Sequence, residues 1–276
     1  MGIWEALVLG LLQGLTEFLP VSSSGHLALG QAILGEVGEE DLRFNILVHG
    51  ATALSTVWIF RRDIADLVGG VFRDGDVSSA IGPQEPAIPA RAYVLWMALS
   101  AVPAAVVGLG FREAFETHFV GQPGRVGWML LVTGAWLWIA QRYARNGRSL
   151  GWGGAAAMGV AQAIAILPGI SRSGATIGMG LLAGIPRAEA ARFSFLMALP
   201  PIFGAMLLEG MDLLETGSAA GGAETPWLAY SVGFVAAFAS GALACRWMIR
   251  LVRALNLGFF AFYCLVAGGL AIFFLS

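Results

Sequence analysis

The sequence predicts an all-α integral membrane protein that forms one membrane domain over residues 1–276. Of the 276 residues, 57% are hydrophobic and 12% are charged, whereas soluble domains carry about 25% charged residues. Two long apolar stretches are each interrupted by proline, glycine and serine, and the two stretches resemble each other in sequence. Together these observations predict an inverted-topology repeat, in which each half contributes one re-entrant helical hairpin and three transmembrane helices.

Six apolar segments are long enough to cross roughly 30 Å of hydrocarbon as helices. They are Phe44–Phe60, Ala92–Phe111, Val126–Gln141, Phe193–Glu209, Trp227–Trp247 and Leu257–Leu275. The polar segment 61–91 is predicted to be a loop with a short surface helix. The N-terminal segment lacks the basic start and cleavage site of a signal peptide, so we expect it in the mature protein. A net charge of −2 gives no basic surface, and we expect no nucleic-acid partner.

The two interrupted stretches are Gly2–Gly35, broken at Pro20–Gly25, and Gly151–Gly184, broken at Pro168–Gly174. Each half of a stretch, at about 10–16 residues, is too short to cross a bilayer as a helix. Hydrocarbon cannot satisfy the backbone groups that proline and glycine release, so such breaks occur only inside protein or along a polar cavity. We therefore predict two re-entrant hairpins whose polar breaks lie within the membrane.

The two hairpins are predicted to be copies of one another. A shift of 149 residues aligns them without gaps and gives 11 identities over 42 positions, with the breaks in register. Within the hairpins, the matched residues are Ala6, Gly10, Gln13, Ser22, Ser24, Gly25 and Gly35 with Ala155, Gly159, Gln162, Ser171, Ser173, Gly174 and Gly184. Three spans per half is an odd number, so the second repeat (149–276) must be inverted relative to the first (1–148).

The distribution of arginine agrees with this topology. If Arg61 and Arg62 end the first span in the cytoplasm, the segments on that side carry 12 arginines and those on the opposite side carry 3. This is the positive-inside bias of membrane proteins. The first hairpin then enters from outside and the second from inside, so their breaks can meet within the bilayer.

Ionisable residues in the membrane core are costly and are functional candidates by default. The hairpins contain Glu17, His26 and Arg172, and Gln13 shares a helix face with Glu17. Arg172 lies between two serines in a glycine-flanked break that leads into a helix, a combination that favours an anion. Together the two breaks supply an acid, an imidazole, an arginine, several hydroxyls and two helix N-termini, which suits phosphoryl chemistry.

Two motifs, QGLTEFLPVSSSGH at residues 13–26 and PGISRSGAT at residues 168–176, closely resemble the signatures of the bacterial undecaprenyl-diphosphate phosphatases, also called the bacitracin-resistance family. The resemblance covers the whole chain in length and layout. It implies removal of the terminal phosphate from a C55 isoprenyl diphosphate at the outer face of the bacterial plasma membrane. This reaction regenerates the carrier lipid for peptidoglycan synthesis and confers bacitracin resistance.

The resemblance also implies a divalent cation, magnesium or calcium. This chain departs from the family pattern at Gln13, where many members have Glu, and at Ser24, where Thr is frequent. Because Gln13 is uncharged, it cannot be a charged metal ligand, and we assign it to substrate binding together with Ser24. Glu17 is the expected metal ligand.

The expected roles follow from these residue types. Arg172 binds the phosphates, helped by Ser171, Ser173 and Thr176. Ser23 or its neighbour Ser22 is the nucleophile on the terminal phosphorus, and Ser22 is also assigned to substrate binding. His26, with a reference pKa of about 6.5, is the general base and later the acid. Glu17 either orients His26 or holds the cation, and direct attack by an activated water fits the same residues.

Other interpretations remain open at this stage. Arg172 could serve only to pair with Glu17 across the repeat, and His49 is predicted to be a core hydrogen-bonding residue near Asn45. Inverted repeats with broken helices are also typical of secondary transporters, so the alternative function is a transporter or flippase of a phosphorylated lipid or small anion. The sequence is compatible with a homodimer and does not determine the oligomeric state.

Overall fold

The computed structural model describes residues 1–35, 39–73, 75–77, 88–111, 118, 122–145, 147–216, 227–252 and 256–275. Within this part of the chain the protein is almost entirely helical, as predicted. The helices are α1 (Ile3–Phe18), α2 (Ser23–Leu34), α3 (Glu39–Ile59), α4 (Arg61–Arg73), α5 (Ala90–Gly110), α6 (Pro123–Tyr143), α7 (Trp152–Ile164), α8 (Arg172–Leu182), α9 (Arg187–Met197), α10 (Leu199–Thr216), α11 (Trp227–Val252) and α12 (Leu257–Leu275). Two short strands, β1 (Asp76–Val77) and β2 (Ile88–Pro89), complete the described elements.

Within the described residues, four helical segments are long and apolar enough to cross a membrane. They are Ala90–Gly110, Arg187–Leu208, Trp227–Arg250 and Leu257–Leu275. They confirm four of the six predicted spans and the assignment as a membrane protein. The other two predictions, Phe44–Phe60 and Val126–Gln141, correspond to the 21-residue helices α3 and α6, which are more polar and do not meet this criterion.

The segment predicted as a loop from 61 to 91 contains more regular structure than expected. The amphipathic helix α4 follows α3 after one intervening residue, and Leu67 is its buried residue. β1 and β2 then pair antiparallel, with Asp76 opposite Pro89 and Val77 opposite Ile88. A helix in this segment is therefore confirmed, but at 13 residues it is longer than the short helix predicted. Asp63 on α4 forms an ion pair with Arg192 on α9 at 2.6 Å, which ties this segment to the bundle.

Both interrupted stretches are helix–break–helix units, but the breaks are displaced from their predicted positions. α1 ends at Phe18 and α2 begins at Ser23, so the first break is Leu19–Ser22. α7 ends at Ile164 and α8 begins at Arg172, so the second break is Ala165–Ser171. The C-terminal residues of each predicted break are helical because a serine just before each helix caps it.

Both units also end alike, at the paired glycines Gly35 and Gly184. Their φ angles are +72° and +91°, in the left-handed region that favours glycine at the end of a helix. The identity of these two residues across the 149-residue shift therefore has a local physical cause.

The helices of the two sequence halves interlock at small residues. α1 packs on α11 where Gly10 meets the backbone of Gly233, and α7 packs on α5 where Gly159 meets the backbone of Ser100. A Cβ added at Gly10 would lie 2.4 Å from Gly233 O, and one at Gly159 would lie 2.7 Å from Ser100 O. α6 packs on α12, where glycines 127 and 268 face each other's carbonyl oxygens. Each broken unit is thus held by a helix from the other half.

Some predicted features lie outside the described residues. They are arginines 112 and 253, two of the arginines counted in the predicted charge bias.

Candidate active site

The two breaks lie against each other, as the sequence predicts. A Cβ added at Gly25 would lie 2.9 Å from the Cα of Gly169, so the two backbones touch at glycine. Ser173 Oγ donates a hydrogen bond of 3.0 Å to the carbonyl oxygen of Leu19, which links the second unit to the first. The contact joins residues more than 140 positions apart in the chain.

The N-termini of α2 and α8 are built in the same way. Ser22 Oγ accepts a hydrogen bond from Gly25 N at 3.2 Å, and Ser171 Oγ accepts one from Gly174 N at 3.1 Å. Each serine caps its helix, so the following residue is the first helical one. These first residues are Ser23 in α2 and Arg172 in α8, which are equivalent under the 149-residue shift. The predicted nucleophile and the predicted phosphate-binding residue therefore occupy matching positions.

The carboxylate of Glu17 connects these two positions. Ser23 Oγ donates to Glu17 Oε2 at 2.5 Å, and Arg172 Nη2 donates to Glu17 Oε1 in an ion pair. The side chains of Glu17 and Arg172 are 8% and 18% exposed. The centre of the site is thus a largely buried carboxylate held between a hydroxyl and a guanidinium, at the positive ends of two helices.

Gln13 donates one further hydrogen bond to Glu17, and its own side-chain oxygen has no partner among the described residues. Gln13 Nε2 donates to Glu17 Oε2 at 3.0 Å, whereas the fully buried Gln13 Oε1 has no hydrogen-bond partner among the described residues. Such an atom is costly unless water or a ligand satisfies it. Within the described residues, no cluster of three or more His, Cys, Asp or Glu could hold a metal by itself. The Glu17 carboxylate and Gln13 Oε1 fit a cation that is also bound by substrate phosphates. Magnesium is usually bound in this way, by one or two carboxylates together with phosphate oxygens.

His26 lies in the first turn of α2, but its ring is engaged elsewhere. Its Nδ1 lies 2.8 Å from Ser22 O, and its Nε2 lies 2.8 Å from the hydroxyl of Tyr263. The prediction that Glu17 orients His26 is therefore wrong for this structure, since the hydrogen bonds of Glu17 go to Gln13, Ser23 and Arg172. The break places the imidazole and the carboxylate in separate networks.

The remaining predicted residues are placed as follows. Ser24 Oγ lies 3.4 Å from Ser22 Oγ, and Ser171 Oγ lies 3.3 Å from Ser173 Oγ, so each break carries a pair of hydroxyls. Thr176 lies one turn into α8, fully buried. Its hydroxyl donates to Arg172 O and lies 2.6 Å from Ser194 Oγ on α9. Thr176 thus anchors the helix that carries Arg172, in contrast to its predicted contact with substrate.

Several supporting residues were not found from the sequence. Thr133 Oγ1 donates to Gly169 O at 2.9 Å and accepts from Ser171 N at 3.1 Å. Trp136 Nε1 donates to Gly174 O at 3.2 Å. Both lie on α6, in a segment without any motif, so only their tertiary contacts identify them. His49 Nδ1 donates to Asn45 O at 2.8 Å, because a carbonyl oxygen can only accept. The predicted hydrogen bond near Asn45 is confirmed, but His49 is only partly buried.

The fold and the site define a helical membrane protein in which two broken helices build a polar centre suited to binding an anion. A family model described as "Bacitracin resistance protein BacA" matches residues 6–270. The chain belongs to this family. The match confirms the resemblance that the two motifs indicate.

Proteins named "Undecaprenyl-diphosphatase" are similar to this chain over nearly its full length. The protein from Christiangramia forsetii is 45% identical, with 99% of this chain and 98% of the relative covered. The protein from Bacteroides fragilis is also 45% identical, with 96% and 95% covered. The protein from Salinibacter ruber is 40% identical, with 99% of both covered.

Proposed function

We propose that this protein hydrolyses undecaprenyl diphosphate to the monophosphate and inorganic phosphate. The proposal draws on membership of the bacitracin-resistance family and on the names of full-length relatives. The observation that carries it is Glu17, whose carboxylate contacts both the hydroxyl of Ser23 and the guanidinium of Arg172. A nucleophile, a base and an anion-binding group are thereby in direct contact.

Substrate binding begins with Arg172. A guanidinium can grip two phosphate oxygens at once, and the N-termini of α2 and α8 add further positive potential. The entering diphosphate competes with Glu17 for Arg172, which leaves the carboxylate next to Ser23. The prenyl chain remains in the hydrocarbon, consistent with a protein of this class.

In the first chemical step, Ser23 Oγ attacks the terminal phosphorus. Its proton passes to Glu17, whose oxygen is already 2.5 Å away. The bond from the terminal phosphorus to the bridging oxygen breaks, and undecaprenyl monophosphate leaves with the bonding electron pair. Ser23 is favoured over Ser22 because Ser22 Oγ already caps α2.

In the second step, water attacks the phosphoserine. Glu17, once it has released its proton to the departing monophosphate, accepts a proton from this water and passes it to Ser23 Oγ as the phosphorus–serine bond breaks. Inorganic phosphate leaves and the Ser23 hydroxyl is restored. Direct attack by water on the diphosphate uses the same carboxylate and differs only in omitting the phosphoserine.

A divalent cation fits this scheme through Glu17 and the unpartnered Oε1 of Gln13. When bound, it would neutralise phosphate charge in the transition state. One carboxylate with phosphate oxygens is a common magnesium arrangement. The amide of Gln13 would supply a neutral oxygen, whereas the Glu found at this position in many family members would add a second negative charge beside Glu17.

The location proposed for this chemistry is the bacterial plasma membrane, with the site open to its outer face. The arginine bias supports this orientation. The inverted repeat is supported by the equivalent caps of α2 and α8 and by the exchange of packing between the two halves. The re-entrant placement of both units is supported by the short helices on either side of each break, which at 11–16 residues cannot cross a bilayer alone.

Purified protein in detergent, given undecaprenyl diphosphate, tests the proposal through release of inorganic phosphate. We expect turnover in the native protein, its loss on adding a chelator, and its recovery with excess magnesium or calcium. Arg172→Ala should reduce turnover by at least about a hundredfold, because the largest electrostatic contribution to phosphate binding is removed. Arg187→Ala, a cation outside the site, is the matched control.

Two results would contradict the proposed function or its site. A transporter or flippase would release no phosphate but would move a phosphorylated lipid across sealed liposomes. Phosphate release that is unchanged in Arg172→Ala would also contradict the proposed site.

A further inference from the structure

Helix α12 contacts the first break through two neighbouring residues. The hydroxyl of Tyr263 lies 2.8 Å from His26 Nε2, and Cys264 Sγ donates to Pro20 O at 3.8 Å. These residues are 237 and 244 positions away from their partners in the chain. α12 in turn packs on α6, whose Thr133 holds the second break. The paired helices α6 and α12 therefore each contact one of the two breaks.

The hydrogen bonds of His26 determine which ring nitrogen carries the proton. Ser22 O is a carbonyl and can only accept, so His26 Nδ1 is the donor in that contact. In the neutral ring Nε2 is then an acceptor, and the hydroxyl of Tyr263 donates to it. Ser22 O thus selects one tautomer of His26, and the hydrogen bond from Tyr263 fixes the orientation of its ring.

The backbone held by this ring is unusual. Ser22 has φ of +72°, the one non-glycine residue with positive φ among those the structure describes. A non-glycine residue in this region is costly and persists only when its surroundings hold it there. Its carbonyl accepts from both His26 N at 3.1 Å and His26 Nδ1 at 2.8 Å. The next residue is Ser23, so the direction of the Ser23 hydroxyl depends on this conformation.

We infer that Tyr263 is a positioning residue for the reaction. Through His26 it holds the left-handed conformation of Ser22, which presents the Ser23 hydroxyl to Glu17. The inference rests on the proposed function and assigns His26 a holding role in the resting site. Tyr263 does not touch the reacting atoms.

Tyr263→Phe tests this role with the smallest available change. The aromatic ring, nearly parallel to the ring of His26 at 5.5 Å between centroids, is retained and only the hydroxyl is lost. We expect kcat for phosphate release to fall about tenfold, the scale of one lost hydrogen bond, with KM within about twofold. Binding is spared because Arg172 is untouched. Tyr143→Phe, the same change at an exposed tyrosine of α6, should leave both constants unchanged.

A double-mutant cycle separates positioning through His26 from a local packing effect. If Tyr263 acts through His26, the double variant Tyr263→Phe/His26→Ala should be no slower than His26→Ala alone. Full additivity of the two losses would overturn the inference, as would a Tyr263→Phe enzyme within twofold of the native rate.

A measurement that does not depend on turnover tests the role of Tyr263 even if a variant loses activity because it misfolds. Nitrogen-15 NMR of histidine-labelled native protein at about pH 8 should show His26 protonated at Nδ1 and an acceptor at Nε2. Tyr263→Phe should shift the Nε2 resonance, whereas the resonances of the other two histidines stay in place. A native ring protonated at Nε2 would refute the inference. Absence of phosphate release by native protein, in contrast, would refute the proposed function alone.

Discussion

Replacing Glu17 by glutamine removes one charge from between Ser23 and Arg172 while keeping the size of the side chain. The amide cannot accept the Ser23 proton, so phosphate release should fall by about a hundredfold to ten-thousandfold, the usual contribution of a general base. The same change leaves the Arg172 guanidinium without its anionic partner in a site where it is 18% exposed. The variant should therefore be less stable as well as less active.

The stability loss can be estimated from burial. Breaking a buried ion pair by removing one partner costs about 3–5 kcal/mol. Because Arg172 retains some contact with solvent, we expect about 3 kcal/mol, at the lower end. At about 2–4 °C per kcal/mol, the midpoint of thermal unfolding in detergent should fall by roughly 6–12 °C. Adding Arg172→Gln should recover most of this loss, since two neutral amides then face each other, without restoring activity.

The predicted loss of activity is measured as phosphate release at saturating substrate. The predicted loss of stability is measured by thermal unfolding in the same detergent. Asp63→Asn provides the control, because it breaks the Arg192 ion pair on α9 and should lower stability while turnover stays within about threefold. A Glu17→Gln enzyme with more than about a tenth of native activity would refute the role of the carboxylate. A double variant as unstable as the single one would refute the contribution of the ion pair.

Two further predictions concern the geometry of the breaks. Ser23→Ala should reduce phosphate release at least about a hundredfold. Ser22→Gly should keep activity within about threefold and leave stability equal or higher, because glycine adopts positive φ freely and costs little as a cap. Equal losses in the two variants would contradict the assignment of Ser23. Gly25→Ala should lower turnover at least about tenfold with little change in helix content, since its Cβ would lie 2.9 Å from Gly169 Cα. Gly153→Ala, whose Cβ meets no atom within 4 Å, is its control, and equal effects of the two would contradict the contact between the breaks.

Much of the candidate site could be predicted from the sequence because its signals are local. Ser22 and Ser171 precede glycines at the spacing of a helix cap, and the structure has both caps. The 149-residue shift aligned the two breaks, and the contact between Gly25 and Gly169 confirms that they meet. The break boundaries were wrong by a few residues, because the sequence pattern does not show where a capped helix begins.

The partners of His26 could not be predicted, and the expected link to Glu17 was incorrect. Glu17 at the end of α1 and His26 at the start of α2 are nine residues apart in sequence, and this spacing alone does not show whether the first break brings their side chains together. In the structure the break turns the imidazole away from the carboxylate, and the ring contacts Ser22 O and the hydroxyl of Tyr263 on α12. Thr176 was likewise assigned to substrate, whereas Ser194 on α9 engages its hydroxyl.

The sequence by itself determined the membrane class, the positions of most helices, the two interrupted stretches and the residue types of the site. These properties depend on hydrophobicity, helix capping and the loss of backbone hydrogen bonds at proline and glycine, all of which act over a few residues. Only the tertiary structure decided that Glu17 contacts Arg172, 155 positions away, and that Tyr263 holds His26. Such contacts depend on how closely helices approach, and here that approach is set by glycines such as Gly10 and Gly127, which allow one backbone to lie directly on another.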